Sequence, residues 1–243
     1  MDNKKNLIWM VSIDENLKKN YSPLISILST DEIHRYHSYK DKKAQYIFLV
    51  SHIALRLILG KSYDVHPKKL VFEFNKYGKP YLKRRDNLYF NLSHSTKRAC
   101  IIESDVEVGI DIEYIQDFNY EEIINSFFSD NERQIILHRQ NKKQKLIRFF
   151  EIWTQKEALL KCVGTGLVKN IEDINVEYLN RNSKNEEKIN IETILSKDKK
   201  YIFSFAYQSS IKRNFYVKKF NLVEFLSFYK INNIFDTSEV ICY

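Results

Sequence analysis

The chain has 243 residues, of which 44% are hydrophobic and 29% charged, and its formal net charge is +8. That length can bury a proper core as one large domain or two small ones, and the composition excludes a disordered or fibrous chain. The basic excess suits an anionic partner, such as a nucleic acid, a phosphorylated cofactor or an acidic protein, without choosing among them.

The cysteines and apolar runs exclude further classes of protein. Cys100, Cys162 and Cys242 are odd in number, lie far apart and form no CxxC pair, so neither a disulfide framework nor a zinc site is predicted. The N-terminus has only a short apolar run and an early acid, unlike a signal peptide. No uninterrupted apolar run approaches the roughly 18 residues of a membrane span. We therefore expect a soluble, cytoplasmic protein.

The first half of the chain begins with a strand and two helices. Leu7–Ile13 has the pattern of a strand, and Ser29–Glu32 resembles a helix start with a capping hydroxyl and early acids. Ala44–Leu59 is a strongly apolar helix that we expect Gly60 to end. Within that helix, His52 is interpreted as a polar group satisfied by the backbone.

Short strands and turns follow. Tyr77–Pro80 predicts a turn in which Gly78 can take a positive φ. A strand over Leu88–Leu92 leads into Ser93-His94-Ser95. The other strands of this region are predicted at Leu70–Phe74 and, as a hairpin, at Arg98–Glu103 and Val106–Glu113.

The second half begins with helices and ends with strands. Ser129–Glu132 is a second helix start, after a helix predicted over Tyr120–Phe128. A long helical region then follows, which we expect to break near Asn141 and to end at Gly164. The chain after Leu222 has no clear pattern. Antiparallel strands are predicted at Ile174–Leu179, Ile189–Ile194, Tyr201–Tyr207 and Asn214–Phe220.

The two halves resemble each other weakly. Ser29–Glu32 and Ser129–Glu132 each precede a long apolar helix in which an alanine and a glycine lie six residues apart. These pairs are Ala54 with Gly60 and Ala158 with Gly164. The repetition favours two similar α+β halves whose long helices face one another, with a cleft between them as the place for a ligand.

One stretch of the second half carries several functional groups. Trp153, Glu157 and Lys161 follow one another at intervals of four, so they are neighbours on one side of a helix, and Lys156 is adjacent to Glu157. Taken alone, this spacing is typical of a solvated helix surface with ordinary ion pairs.

Two further stretches supply partners for Glu157. In a strand over Gly109–Glu113, Asp111 and Glu113 project from the same face. Two adjacent acids repel each other, which disfavours a merely solvated strand face, and with a third carboxylate they form an oxygen site suited to Mg²⁺. Asn91–Ser95 can donate hydrogen bonds to phosphate, although by itself it is more typical of a capped turn.

The order of four motifs is more specific than any one of them. FNLSHS, GIDIE, FFSxxE and WxxKEALLKxxGxGL occur in that order, and YGKPYL precedes them. Over about residues 29–167 the chain resembles the 4'-phosphopantetheinyl transferase superfamily, in its larger, surfactin-synthetase-activating branch. The resemblance implies an α+β fold made of a pseudo-twofold pair of subdomains, each with a small, mostly antiparallel sheet packed on a long helix. Residues 1–105 would form the coenzyme A 3'-phosphate and adenine side, and residues 106–243 the metal and catalytic side.

The resemblance also implies an activity. Members transfer the 4'-phosphopantetheine arm of coenzyme A to a serine of an apo acyl or peptidyl carrier protein and release adenosine 3',5'-bisphosphate. Asp111, Glu113 and Glu157 match the ligands of Mg²⁺, for which Mn²⁺ can substitute, and Glu157 also matches the general base. Lys156 and Lys161 match lysines that contact the pyrophosphate.

Other residues match the side that binds the nucleotide. His94 and Arg35 match residues at the 3'-phosphate, Ser93 matches a residue near the phosphates, and Gly78 and Lys79 match the turn on the adenine side. The glutamate of FFSxxE, Glu132, corresponds either to a functional residue or to a plain helix cap.

Two positions depart from the pattern of the family. Glu32 stands where some members place a second lysine near the 3'-phosphate, and Phe48 stands where some place a threonine. Within the resemblance, we expect a monomer that binds neither nucleic acid nor membranes. The alternative from composition is a non-enzymatic basic protein that binds nucleotides or nucleic acid, although the sequence carries no recognised signature of that class.

Overall fold

The computed structural model describes residues 6–14, 21–83, 88–165 and 188–231. The strands are β1 (Asn6–Ser12), β2 (Phe72–Phe74), β3 (Pro80–Leu82), β4 (Tyr89–Ser95), β5 (Arg98–Ser104), β6 (Val108–Tyr114), β7 (Ile189–Leu195), β8 (Tyr201–Gln208) and β9 (Phe215–Lys219). The helices are α1 (Thr30–Ser38), α2 (Lys42–Tyr63), α3 (Glu121–Phe127), α4 (Asp130–Leu137), α5 (Lys142–Val163) and α6 (Leu222–Ile231). Short 3-10 turns span Ser22–Ile27 and Pro67–Lys69.

These strands form two principal sheets and a small hairpin. The first sheet has the order β4-β5-β1-β9, the second the order β6-β8-β7, and β2 pairs with β3. All pairings are antiparallel except that of β1 with β9. The predicted α+β class with two halves is confirmed.

Each principal sheet lies between a long helix and the other sheet. Alternate residues of β1 and β5 pack either against α2 or against the second sheet, as expected from the two-residue period of a strand. The layer between the sheets includes Ile8, Cys100 and Ile102 from the first sheet and Ile110, Ile112 and Phe203 from the second. The helix α5 covers the outer face of the second sheet, where Ala158 and Cys162 pack against Ala206.

The helix α2 is the core helix of the first half. Among the described helices it alone has the length and composition to cross a membrane, and 83% of its most apolar 18-residue window is buried inside the protein. It continues past Gly60 to Tyr63 and ends at Asp64, which takes a left-handed conformation with φ of 53°. The expectation that Gly60 ends this helix was therefore wrong, because Asp64 supplies the left-handed cap.

Two predicted pairings were also wrong. β5 does not form a hairpin with β6, since it lies between β4 and β1 whereas β6 pairs with β8 in the other sheet. β9, expected to be antiparallel, runs parallel to β1. The chain after Phe215 thus returns to the first half, where Phe225 of α6 joins the core around α2. The predicted strand at Ile174–Leu179 lies outside the described residues.

The helix α5 approaches the strand β6 very closely at Gly109. A Cβ atom placed there would lie 2.1 Å from the Ala158 carbonyl oxygen and 2.2 Å from the Cys162 backbone nitrogen. Only glycine fits, because both obstacles are main-chain atoms of α5. The strand β6 and the helix α5 therefore meet directly, and α5 ends soon afterwards at Gly164, as predicted, with φ of 74°.

An acid at the start of a short helix anchors each half. In the first half, Ser29 and Glu32 form a capping box at α1, and Glu32 Oε2 accepts a hydrogen bond from Nε of the buried Arg56 at 2.6 Å. Glu32 Oε1 lies 2.9 Å from Nδ1 of His52. Burial by itself raises the pKa of Glu32, but the His52 hydrogen bond and the charge of Arg56 outweigh it and lower the pKa from 4.5 to about 2.

The second half has the same arrangement, a capping-box glutamate paired with a buried base, 100 residues later. We call this arrangement the anchor of each half. Ser129 and Glu132 form a capping box at α4, and Glu132 Oε2 pairs with Nζ of Lys156 at 2.7 Å. Counterparts in α2 and α5 therefore lie 100 residues apart. The pairing of Ala54 with Ala158 suggested by the sequence is displaced by about one helical turn.

Acid titration tests the first anchor. Because the folded-state pKa of Glu32 lies below its ordinary value, ionised Glu32 stabilises the fold above about pH 4.5, and this contribution disappears as the pH falls towards 2. The loss of this contribution should lower the free energy of unfolding by on the order of 3 kcal/mol over this pH range. Urea denaturation at a series of pH values should show a shallower acid dependence for Glu32→Gln than for the wild type. The exposed Glu121→Gln is the control, and a wild-type slope in Glu32→Gln would contradict the prediction.

Candidate active site

Four ionisable side chains meet where β6 faces α5. Asp111 and Glu113 come from β6, and Glu157 and Lys161 come from neighbouring turns of α5. Lys161 Nζ donates to Asp111 Oδ1 at 2.6 Å. The close approach at Gly109, two residues before Asp111, brings these groups together. A site formed by these three carboxylates requires α5 to lie against β6, and the two elements do so at Gly109.

The three carboxylates influence one another electrostatically. Burial raises the pKa of Glu113 to about 7, with further increases from the charges of Asp111 and Glu157, while Ser95 and Lys161 oppose the shift. Burial also raises the pKa of Glu157, which Lys161 opposes and Asp111 reinforces. A cation placed among these acids would offset the cost of burying their charges and would reduce the repulsion between them.

The donor set fits a hard cation such as Mg²⁺. Asp111 Oδ2 is buried and has no hydrogen-bond partner among the described residues, an arrangement that requires an explanation because unpaired buried oxygens are unfavourable. Within the described ranges, no three His, Cys, Asp or Glu side chains are already grouped as a metal site. The acids thus supply suitable oxygens, but their ligand geometry is not preformed.

Side chains of β4 join the two sheets at this site. Asn91, Ser93 and Ser95 project from alternate positions of β4, and each accepts a hydrogen bond from a backbone N–H of β6. The donors are Ile110 to Asn91 at 3.1 Å, Ile112 to Ser93 at 3.4 Å and Tyr114 to Ser95 at 3.0 Å. We call these three β4 residues the side-chain ladder.

Two hydroxyls of the ladder also hold the acids. Ser93 Oγ donates to Asp111 Oδ1 at 2.8 Å and accepts from Lys161 Nζ at 3.2 Å. Ser95 Oγ donates to Glu113 Oε2 at 2.9 Å. Ser93, expected near the phosphates, therefore contacts Asp111 and Lys161 directly.

Basic side chains from both halves lie near His94. Desolvation of the ring, followed by electrostatic interactions with Lys161, His52 and Arg35, lowers the pKa of His94. Arg35 lies over the Phe48 ring, 5.3 Å from its centroid, and Phe48 stacks on His52 with 3.9 Å between centroids. Arg35 and His52 are therefore close enough to His94 to influence its titration.

His52 was not predicted from the sequence to be a residue of the site. It was interpreted as an interior or rim polar group satisfied by the backbone, but it pairs with Glu32 and lines a cavity of about 600 Å³ together with Arg35 and Gly78. Its distance of four residues from Arg56 was the available signal, because that spacing places both side chains on the surface of α2 that faces Glu32.

Lys79 has a different environment from Gly78. Its ammonium group pairs with Glu107 and donates to the Cys162 carbonyl oxygen at 2.8 Å. The nearby Asn75 amide donates to the Gly164 carbonyl oxygen at 2.7 Å. Lys79 therefore joins the turn between β2 and β3 to the end of α5, and it is not among the described residues that line the cavity.

The ammonium group of Lys156 is bonded to Glu132 and is not directed at Asp111, Glu113 or Glu157. The side chain is 0% exposed, and its ammonium also donates to the Phe127 carbonyl oxygen at 3.1 Å. The expectation that Lys156 contacts a pyrophosphate does not fit this placement, because its charge is already enclosed with a partner. Trp153 is likewise structural, stacked on Phe128 and Phe149.

Comparisons with known proteins agree with this architecture. Residues 107–216 match the family model described as the 4'-phosphopantetheinyl transferase superfamily, and residues 15–105 match the one described as 4'-phosphopantetheinyl transferase, N-terminal. The boundary between the matches coincides with the passage from β5 to β6.

Several curated proteins are similar to the chain. The 4'-phosphopantetheinyl transferase HetI of Nostoc sp. is 32% identical over 174 residues, which cover 70% of this chain and 72% of that protein. The 4'-phosphopantetheinyl transferase gsp of Aneurinibacillus migulanus is 31% identical over 144 residues, 59% of each chain. The 4'-phosphopantetheinyl transferase Sfp of Bacillus subtilis is 25% identical over 170 residues, 70% of this chain and 75% of that protein. The chain therefore belongs to the 4'-phosphopantetheinyl transferase superfamily and is a transferase of this family.

Proposed function

We propose that the protein transfers the 4'-phosphopantetheine arm of coenzyme A to a serine hydroxyl of an apo acyl or peptidyl carrier protein. Adenosine 3',5'-bisphosphate is the second product. The observation that carries the proposal is the meeting of Asp111, Glu113, Glu157 and Lys161 between β6 and α5. The names of the relatives support the same reaction.

Asp111, Glu113 and Glu157 would hold Mg²⁺, for which Mn²⁺ is the substitute. When bound, the ion would neutralise charge on the pyrophosphate of coenzyme A. The orphaned Asp111 Oδ2 and the repulsion among the acids support this assignment.

Glu157 is proposed as the general base. Its pKa is raised by burial, which makes its carboxylate a stronger proton acceptor at neutral pH. It would remove the proton of the carrier serine as the serine oxygen bonds to the phosphorus attached to the pantetheine. The bond between that phosphorus and the bridging oxygen of the pyrophosphate then breaks, and the nucleotide leaves.

Lys161 is proposed to stabilise the leaving phosphate. Its ammonium already lies in the acidic group, 2.6 Å from Asp111 Oδ1 and 3.2 Å from Ser93 Oγ. A fixed positive charge at this position would oppose the negative charge that develops on the departing oxygen. The enclosed Lys156 has a structural role in this scheme.

The first half is proposed to bind the nucleotide end of coenzyme A. Arg35 supplies positive charge, His94 can donate a hydrogen bond to a phosphate oxygen, and Gly78 contributes to the cavity wall together with Arg35. Glu32 does not cancel this charge, because Arg56 and His52 already engage its carboxylate. We further propose a cytoplasmic monomer that binds neither nucleic acid nor membranes, since one chain supplies both sides of the site. The net charge of +8 would favour encounter with acidic carriers.

A mass measurement tests the reaction itself. Incubation with apo carrier protein, coenzyme A and Mg²⁺ should add one phosphopantetheine group to the carrier. A carrier with its acceptor serine replaced by alanine, and a reaction containing a chelator, serve as controls. If a panel of acyl and peptidyl carriers gains no such mass, the proposed function is rejected.

Glu157→Gln tests the assignment of the base. The substitution keeps the size of the side chain but removes its charge, so we expect kcat to fall by roughly 10³-fold or more as base and ligand are lost together. Glu151→Gln, on the same helix and paired with Arg148, is the matched control and should retain activity. Near wild-type turnover by Glu157→Gln would remove this residue from the mechanism.

The two lysines should separate in their effects. Lys156→Met leaves Glu132 buried without its partner, so we expect a loss of about 3–5 kcal/mol in unfolding free energy. Lys161→Met should instead lower kcat while the protein remains folded. Urea denaturation and steady-state kinetics distinguish the two outcomes. A stable Lys156→Met protein with impaired catalysis would restore Lys156 as a site residue.

A further inference from the structure

The side-chain ladder connects the edges of the two principal sheets. β4 is the edge strand of the first sheet and β6 the edge strand of the second. The ladder residues and their backbone donors are offset by a constant 19 positions, so the two strands run in the same direction. Side-chain oxygens take the place of the backbone carbonyls that a neighbouring strand would supply.

Ser95 makes two hydrogen bonds with different consequences. It accepts from the Tyr114 backbone N–H, which fixes the hydroxyl relative to β6. With its acceptor side engaged in this way, it donates to Glu113 Oε2. The hydroxyl therefore links the position of the strand to the orientation of the carboxylate, and it engages only one of the two carboxylate oxygens.

We propose that Ser95 is a positioning residue that orients the Glu113 carboxylate for binding a divalent cation. The inference rests on the proposed function, which assigns Glu113 as a ligand. Hydrogen-bond partners behind a ligand usually set its orientation, and their loss typically weakens metal binding by about 10–100-fold. Ser95 occupies that place for Glu113, a residue of a site whose ligand geometry is not preformed.

The ladder also provides a matched control. Asn91 accepts from the Ile110 backbone N–H at 3.1 Å in the same way, but no described hydrogen bond joins it to an acid of the site. Asn91→Ala therefore removes one ladder bond without removing a contact to a carboxylate. Ser93 is less suitable, because its hydroxyl contacts both Asp111 and Lys161.

The test is a titration with Mn²⁺ in the absence of coenzyme A, followed by electron paramagnetic resonance of the free ion. We expect Ser95→Ala to weaken Mn²⁺ binding by about 10-fold or more and to raise the Mg²⁺ concentration that gives half-maximal transfer. Ser95→Thr retains the hydroxyl and should bind Mn²⁺ like the wild type. Asn91→Ala should lower the melting temperature but leave the affinity for Mn²⁺ unchanged.

The possible results distinguish a failure of the positioning role from a failure of the proposed transfer. Wild-type Mn²⁺ affinity in Ser95→Ala, or an equal loss in Asn91→Ala, would overturn the positioning role while the proposed transfer stands. A wild-type protein that transfers phosphopantetheine but binds no Mn²⁺ in this assay would overturn the ligand role of Glu113 in the free enzyme, and with it this inference. A wild-type protein without transfer would reject the proposed function itself. If Ser95→Ala does not fold, Ser95→Cys keeps the size of the side chain with a weaker donor and takes its place.

Discussion

The contact between β6 and α5 at Gly109 is the constraint on which the site depends. Any side chain at this position would meet main-chain atoms of the helix, so the helix can lie against the strand only because the residue is glycine. Asp111 follows two residues later on the same face, and Lys161 reaches it directly. The motif GIDIE thus combines a packing requirement with a chemical one, since its glycine admits the helix and its acids face the groups that the helix brings.

The two halves use one scaffold for opposite charges. Each has a capping-box glutamate bonded to a buried base of its long helix, Glu32 with Arg56 and Glu132 with Lys156. In the first half the surroundings of this anchor are cationic, and in the second the neighbouring strand carries acids. Groups of opposite charge therefore lie on either side of the ladder, as the proposed binding of phosphates and of a cation would require.

Features that depend on a few neighbouring residues were predicted correctly from the sequence. The predictions failed for the pairing of edge strands and for the direction in which a helix side chain points. Capping boxes, the break at Asn141 and the end at Gly164 follow from side-chain chemistry within a few residues. The predicted β5–β6 hairpin was wrong because backbone N–H groups at the edge of β6 donate to side chains of β4 instead of to a neighbouring strand. The hydrophobic pattern of a strand does not reveal such an arrangement. Lys156 was misplaced although helix geometry argues against it: it lies about 100° from Glu157 around the axis, whereas a residue four positions away lies at about 40°.

The two oxygens of Asp111 differ in a way that links stability to function. Oδ1 receives hydrogen bonds from Ser93 and Lys161, whereas the buried Oδ2 receives none from the part of the chain that the structure describes. A buried oxygen without a partner is unfavourable by about 1–3 kcal/mol, so packing at Gly109 and the ladder must hold it there against that cost. A cation that bound Oδ2 would recover this free energy, so the cost of the unpaired oxygen in the free protein would favour cation binding.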